Sequence, residues 1–273
     1  MSLYAVMGHP IGHSLSPQIH EAFGALTGLD VRYERREVRP EGLAEALSAF
    51  RVQDGRGANI TVPLKGEAYA LAARTSARAE RARAVNTLAW QGDGWFGDNT
   101  DGAGLIRDLT VNHGWSLRAR RVLLVGAGGA AQGIVGPLLD AGIAHLSISN
   151  RNPERARDLV ASCRDARAGV ADIGVTGACP FEIVINATAA GLSGALPVLP
   201  DVLFEGAIVY DLMYGPKART FLSHARAHGA REVADGLGML VEQAAEAFLL
   251  WWGVRPPTES VLAHLRAEVG AGS

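Results

Sequence analysis

Arg121-Val122-Leu123-Leu124-Val125-Gly126-Ala127-Gly128-Gly129-Ala130-Ala131 decides the fold of this chain. Val122 to Val125 are four apolar residues in a row, the length of a short buried strand. The chain then turns through Gly126, Gly128 and Gly129 and enters an alanine-rich helical run. This is the Gly-x-Gly-x-x-Ala form of the dinucleotide fingerprint, in the strand–turn–helix setting it requires. Gly126 allows the tight turn. Gly128 lets the backbone approach a pyrophosphate, and Ala131 lets the helix pack closely on the strand. The helix start offers unpaired N–H groups and the positive end of its dipole to the phosphates.

The next strand, His145 to Ser149, bears on which dinucleotide is bound. It runs into Asn150-Arg151-Asn152-Pro153-Glu154-Arg155. An NAD site places an acid about twenty residues past the glycines, on the ribose 2′-hydroxyl. No acid ends this strand; Arg151 and Arg155 stand there instead. A guanidinium can grip a 2′-phosphate through paired charge-assisted bonds, where an acid would repel it. The expected cofactor is NADP(H).

Composition narrows the remainder. The chain has 273 residues, room for two modest domains, with 48% hydrophobic and 20% charged residues. A formal net charge of −2 gives no global field for nucleic acid or an anionic membrane, so neither partner is expected. Cys163 and Cys179 fit no metal spacing, and no metal is expected; both read as buried thiols in a reducing compartment. Met1 to Pro10 lacks a charged and long apolar leader pattern, and no apolar run reaches about 18 residues. A cytoplasmic location is expected.

Around the fingerprint, short strands alternate with helices. Leu3 to Met7, Val31 to Val38 and Ala58 to Val62 read as strands. Ser16-Pro17 opens a helix with the hydroxyl as its cap, and Ile19, Phe23 and Leu26 form its apolar face. Leu43, Leu47 and Phe50 mark another helix. Ile183 to Asn186 and Ala207 to Asp211 continue the series after the fingerprint. Leu240, Val241, Ala244, Ala245, Phe248, Leu249 and Trp252 form an apolar stripe on a long C-terminal helix. The reading is α/β in two domains. A mainly parallel substrate domain (1–101, completed by 238–273) precedes a Rossmann-type NADP-binding domain (102–237), and the C-terminal helix returns to the first domain.

Four segments of the first domain can carry chemistry. Gly8-His9-Pro10-Ile11-Gly12-His13-Ser14-Leu15-Ser16-Pro17 sets two hydroxyls, Ser14 and Ser16, beside a helix start, which suits a carboxylate. Asn59-Ile60-Thr61-Val62-Pro63-Leu64-Lys65 lies at the C-terminal end of a strand, where open α/β sheets bind ligands. There Thr61 is a donor and acceptor, and Lys65 a candidate acid/base. Ala84-Val85-Asn86-Thr87 and Gly97-Asp98-Asn99-Thr100-Asp101-Gly102 add Asn86 and Asp101. Lys65, Asn86 and Asp101 make an ammonium, an amide and a carboxylate expected near the interdomain groove, a set that can bind vicinal hydroxyls and move a proton.

These segments, in this order and followed by the Gly126 loop, resemble the shikimate dehydrogenase family. Asn186-Ala187-Thr188, Asp211-Leu212-Met213-Tyr214-Gly215-Pro216 and Gly236-Leu237-Gly238-Met239-Leu240-Val241-Glu242-Gln243-Ala244 extend the match along nearly the whole chain. The resemblance implies that Ser14, Ser16 and Tyr214 hold a substrate carboxylate, and that Thr61, Asn86, Asp101 and Gln243 bind ring hydroxyls. It implies Lys65 as proton donor or acceptor at the reacting oxygen, with Asp101 beside it. Gly126, Ala127, Gly128, Gly129 and Ala130 would hold the pyrophosphate; Asn150, Arg151 and Arg155 the 2′-phosphate; Leu212 and Gly236 the nicotinamide side. The implied reaction is reversible reduction of 3-dehydroshikimate to shikimate by NADPH, in aromatic amino acid biosynthesis. The alternatives are a quinate or aminoshikimate dehydrogenase of the same fold, or a non-catalytic sensor of nucleotide and metabolite. A monomer or a homodimer would fit equally. Glu21, Arg83, Asn152 and Ala77 depart from the family's usual Asn, Gly, Thr and acid.

Overall fold

The computed structural model describes residues 2–171, 173, 181–188, 190–193 and 195–271. It divides into two compact units, 1–104 with 240–263, and 105–239 with 264–273.

The first unit is built on β1 (Leu3–Gly8), α1 (Ser16–Thr27), β2 (Arg32–Glu37), α2 (Leu43–Val52), β3 (Gly55–Ile60), α3 (Lys65–Leu71), β4 (Arg74–Thr75), α4 (Ala77–Ala82), β5 (Thr87–Gln91) and β6 (Gly94–Asp98). α5 (Asp101–Arg107) begins at its end. The sheet order is β2-β1-β3-β5-β6-β4. The β1–β2, β1–β3 and β4–β6 pairs are parallel; β3–β5 and β5–β6 are antiparallel. β1 reads as unbroken apolar sequence because both its faces are covered. Leu3, Ala5 and Met7 join Leu43, Phe50, Ile60 and Leu88 in one core. Tyr4 and Val6 meet Tyr33, Trp251 and Trp252 on the other side. β2, an edge strand, is Arg-Tyr-Glu-Arg-Arg-Glu, and charge on an edge discourages pairing with other chains.

The β5–β6 hairpin is the element that sequence pattern did not single out. Its turn, Gln91-Gly92-Asp93-Gly94, has Gly92 at φ +66°, and Trp90 pairs with Trp95 across it. Glycines between short apolar and aromatic runs were the available signal. Two local expectations also change. Leu15, not Ser16, is the cap residue of α1, with no side-chain cap bond, and Ser16 lies within the helix; Ser14 Oγ instead accepts from the Ser16 N–H at 3.3 Å. Leu26 is 48% exposed, so α1 buries Ser16, Pro17, Ile19, His20, Phe23 and Gly24 without it.

His20 itself is fully buried. Its ring stacks on Tyr33 at 4.4 Å and shares a 3.2 Å hydrogen bond with Asn59 Oδ1. Burial pushes its pKa down to about 3, so it stays neutral.

The second unit contains β7 (Arg121–Val125), α6 (Gly129–Asp140), β8 (His145–Ser149), α7 (Pro153–Cys163), β9 (Ala168–Val170), β10 (Ile183–Asn186), β11 (Ile208–Asp211), α8 (Pro216–Ala227) and β12 (Glu232–Asp235). Among the described residues every strand pair in it is parallel, in the order β12-β11-β10-β7-β8-β9. Counted from β7, that is 3-2-1-4-5-6 read from the far edge, the doubly wound Rossmann order. β7 again alternates, Val122 and Leu124 into one core, Leu123 and Val125 into the other. Cys163 is half-buried rather than buried, and Cys179 lies outside the described residues.

α9 (Leu237–Trp252) carries the apolar C-terminal stripe, and α10 (Glu259–Ala271) follows it. From Leu240 on, α9 belongs to the first unit; Ala244, Ala245 and Phe248 are fully buried, and Trp251 Nε1 donates to Leu88 O at 3.0 Å. Leu249, placed on the same stripe, is 37% exposed.

Arg83 ends α4 in the left-handed conformation, φ 49° and ψ 35°, where glycine is the low-strain residue. It is exposed. Arg83→Gly is expected to stabilise the protein by about 1 kcal/mol, read as a higher midpoint in denaturant unfolding at unchanged slope. An unchanged midpoint would show that the strain is relieved elsewhere.

Candidate active site

Strand register brings the four polar segments of the first unit to one edge of the sheet. Gly8 ends β1 and Ile60 ends β3, and these strands run parallel, so the Ser14 and Thr61 loops leave from the same edge. β5 begins there because it runs back along β3, with Asn59 opposite Thr87. β6 ends there because Thr87 faces Asp98. The antiparallel hairpin therefore delivers Asn86 and Asn99–Asp101 to the C-terminal ends of β1 and β3.

At this edge Lys65 opens α3 and Asp101 opens α5. Lys65 Nζ lies 2.5 Å from Asp101 Oδ2, with side chains 12% and 9% exposed. The other carboxylate oxygen, Oδ1, accepts from Asn86 Nδ2 at 2.8 Å. Asn86 Nδ2 also reaches Thr100 Oγ1 at 2.9 Å and Gln243 Oε1 at 3.3 Å. Asn86 Oδ1 accepts from the Thr100 N–H at 2.8 Å and the Thr87 hydroxyl at 2.9 Å. Gln243 Nε2 donates to Leu240 O at 2.8 Å, which leaves its carbonyl turned toward Asn86 and Thr100. Lys65, Asn86, Asp101 and Gln243 thus form one cluster. Such a cluster holds an ammonium against a carboxylate whose geometry is fixed from behind, which suits proton transfer to an oxygen.

Ser14 Oγ donates to Ser16 Oγ at 3.1 Å, and Arg35 holds the Ser14 carbonyl with two N–H groups at 2.9 and 2.6 Å. The Thr61 N–H is held by Met7 O at 2.9 Å.

Three supporting residues escaped the sequence reading as site residues: Asn59, Thr87 and Thr100. Asn59 Oδ1 accepts from the Tyr33 hydroxyl at 2.8 Å, and its amide donates to Thr87 Oγ1 at 3.2 Å. All three sit inside the quoted motifs. Their roles depend on cross-strand partners, which spacing along the chain does not reveal.

In the second unit, Gly126 follows β7 with φ +114°, and a Cβ there would stand 2.9 Å from the backbone of Ala187, just past β10. β7 and β10 are the neighbours at which the strand order reverses. That point is where a doubly wound sheet opens a ligand crevice. Gly128 and Gly129 have open space where side chains would lie, and the first turn of α6 holds no acid. Ala127 is buried and Ala130 half-buried. Past β8, Asn150 is half-buried, with Nδ2 donating to Asn152 O at 2.9 Å. Arg151 and Arg155 are exposed. An open glycine cradle at a helix start, with two exposed guanidinium groups after the second strand and no acid at that strand's end, fits a dinucleotide bearing a 2′-phosphate.

Leu212 and Gly236 come together: a Cβ on Gly236 would sit 2.3 Å from Leu212 O, so only glycine lets these backbones approach. Tyr214 is half-buried, and burial raises its pKa. Asp211 is 1% exposed. It accepts from the Met213 N–H at 3.0 Å and from Asn186 Nδ2 at 3.2 Å. Burial pushes its pKa up to about 7, against those hydrogen bonds.

Known proteins match this chain. The family model for the shikimate dehydrogenase substrate binding domain matches residues 6–88, that for shikimate/quinate 5-dehydrogenase residues 109–193, and that for the shikimate 5′-dehydrogenase C-terminal domain residues 236–266. A shikimate dehydrogenase (NADP(+)) of Dechloromonas aromatica is 52% identical over 271 residues, 98% of this chain and 99% of that protein. The structure of an Ael1 enzyme from Pseudomonas putida superposes with a TM-score of 0.92 at 42% identity, covering 97% of this chain and 98% of that one. Shikimate 5-dehydrogenase from Thermus thermophilus, in complex with NADP(H) and shikimate, gives 0.85 at 36% identity over 98% and 99%. Among the described residues no helix is long and apolar enough to cross a membrane.

The Asp211 shift sets a direction for pH. Its folded pKa, about 7, lies above the ordinary 3.8. The folded state therefore binds more protons between those values, and its stability falls as pH rises through that window. Asp211→Asn removes the titrating group while keeping the carbonyl acceptor for Met213. The variant is expected to gain melting temperature relative to wild type at pH 8 and to lose that advantage at pH 4. A difference independent of pH would refute the assignment.

Proposed function

The chain belongs to the shikimate dehydrogenase family, and from that premise we propose that it catalyses the reversible NADP-dependent reduction of 3-dehydroshikimate to shikimate. The observation that carries the reading is the shielded Lys65–Asp101 pair, fixed through Asn86. When bound, NADPH supplies a hydride to the ring carbonyl carbon.

The remaining work belongs to the protein. As charge grows on the carbonyl oxygen, the Lys65 ammonium stabilises it and transfers its proton there, giving the alcohol; in the reverse direction Lys65 takes that proton back. Asp101 keeps Lys65 in place with one carboxylate oxygen while Asn86 holds the other. The ring hydroxyls bind to Asn86, Asp101, Thr61 and Gln243, of which Asn86, Asp101 and Gln243 are held by hydrogen bonds to one another or to the backbone. Ser14 and Ser16, linked to each other, offer hydroxyls to the substrate carboxylate. In the second unit the Gly126–Ala130 turn would hold the pyrophosphate, Asn150, Arg151 and Arg155 the adenosine 2′-phosphate, and Leu212 and Gly236 the nicotinamide side.

Shikimate-dependent reduction of NADP⁺, followed at 340 nm, tests the reaction, with quinate as the competing substrate. Quinate carries an additional tertiary hydroxyl beside its carboxylate, and the paired serines fit the smaller group. Lys65→Ala is expected to lower kcat by about 10²- to 10⁴-fold with a small change in KM for shikimate. Asp101→Asn is expected to damage both, since hydroxyl binding and Lys65 placement share that carboxylate. A Lys65→Ala enzyme with near-normal kcat would remove Lys65 from the proton step.

Arg151→Ala tests the cofactor contact separately. It is expected to raise KM for NADP⁺ about tenfold or more while leaving KM for NAD⁺ nearly unchanged. Equal effects on both would place Arg151 away from the 2′-phosphate.

A further inference from the structure

Asp201, His224 and His228 lie on the second unit, outside every segment assigned above. We propose that they form a binding site for a divalent transition-metal ion of the zinc class. His224 is in the last turn of α8, and His228 follows one residue after its end, so the two imidazoles share a face. Their ring centroids are 4.2 Å apart. Asp201 opens a 3₁₀ turn, Asp201–Phe204. Its Oδ1 stands 2.8 Å from His224 Nε2, and its Oδ2 stands 3.3 Å from His228 Nε2. Three donor atoms, one per residue, lie within 4.8 Å of one another.

The donor set and its spacing suit this ion class. Zinc bonds of about 2.0–2.1 Å in tetrahedral geometry put neighbouring ligand atoms about 3.4 Å apart. His228 Nε2 and Asp201 Oδ2, 3.3 Å apart, already stand near that spacing, while His224 Nε2 and the other oxygen, Oδ1, 2.8 Å apart, need to open by about 0.6 Å. Two imidazole nitrogens favour zinc, nickel or copper over magnesium or calcium, which prefer oxygen. The side chains are 31% (His224), 36% (His228) and 54% (Asp201) exposed, so an ion can enter and a water can take the fourth position.

The ligands are also held in place by groups behind them. His228 Nδ1 lies 2.8 Å from the carbonyl oxygen of His224. Donating its proton there puts the lone pair on Nε2, toward the site. Phe204, 1% exposed, meets the His224 ring edge-on at 5.6 Å and belongs to the same 3₁₀ turn as Asp201. An ion would therefore tie that turn to the end of α8 and stabilise the second unit.

The competing account is a pair of imidazolium–carboxylate contacts with no metal. Calorimetric titration of the metal-free, tag-free full chain with ZnCl₂ at pH 7.5 separates them. The expected result is one saturable site per chain, with proton release and a zinc-dependent rise in melting temperature. Co²⁺ in place of Zn²⁺ is expected to show the visible absorption of tetrahedral coordination. His224→Gln, His228→Gln and Asp201→Asn are each expected to weaken binding about tenfold or more, while His264→Gln leaves it unchanged. Paramagnetic broadening of wild-type imidazole signals by Cu²⁺ needs no variant and is expected at His224 and His228. Absence of a saturable site, equal binding by the variants, or broadening confined to other histidines would overturn the proposal.

Discussion

The side-chain amide of Asn86 is the constraint on which the polar edge of the first unit depends. It is 3% exposed, so each of its polar atoms needs a partner from the protein. Its oxygen takes the Thr100 N–H and the Thr87 hydroxyl, and its two shortest donor contacts run to Asp101 and Thr100. Those contacts fix where α5 begins relative to β5. Asp101 is placed as a result, and Lys65 is placed by Asp101. Asn59 extends the network inward to Tyr33 and His20. A buried polar network of this kind is worth its desolvation only when every member is satisfied. A change at Thr87 or Asn59 would therefore be felt at Lys65 through Asn86 and Asp101.

The second unit solves its problem with backbone. Parallel pairing of β7 with β10 sets Gly126 against Ala187, and the absence of a Cβ lets the turn close. The turn leaves Gly128 and Gly129 uncovered at the start of α6. The same device recurs at Gly236 against Leu212. Past β8, Arg151 and Arg155 add two exposed guanidinium groups to that backbone shape. The two units thus differ in what substitution can tune: hydrogen-bond partners in the first, and two exposed cations beside a fixed backbone shape in the second.

What the sequence made legible follows from this difference. The glycine turn could be read because its requirements are local: apolar run, glycine spacing, small residue, helix. The strands flanking it could be read for the same reason. Lys65, Asn86 and Asp101 could be named because their residue types announce chemistry. Their assembly could not be derived from spacing, since it rests on the β5–β6 hairpin, whose runs are short and whose faces are mixed. Ser-Pro is a common helix start and points to Ser16 as the cap, yet Leu15 holds the cap position and Ser16 lies inside the helix, its N–H taken by the Ser14 hydroxyl. Leu26 and Leu249 show the limit of periodicity, which places residues on a face but not under a neighbour. His224 and His228 have legible helical spacing; Asp201, distant in sequence, meets them through the fold.

The departures from the family pattern can be sorted by what the local backbone asks of each position. Asn152 stands where threonine is usual, and it accepts the Glu154 N–H at 3.0 Å as the cap of α7. Asparagine caps a helix as well as threonine does, so the start of α7 survives the exchange and Arg151 keeps its footing. Arg83 stands where glycine is usual, in a left-handed conformation that a side chain makes costly. That cost is local to the end of α4. The next residues, Ala84 and Val85, are nonetheless buried, with Val85 N–H bonded to Lys65 O at 2.9 Å. The strained residue therefore sits directly before the segment that carries Asn86. Glu21 is exposed on α1, where either residue is solvated. Nothing in the structure explains Ala77. Asn152 and Glu21 thus meet what their positions ask, as a cap and as a solvated surface residue, while Arg83 stands in a conformation that its side chain makes costly.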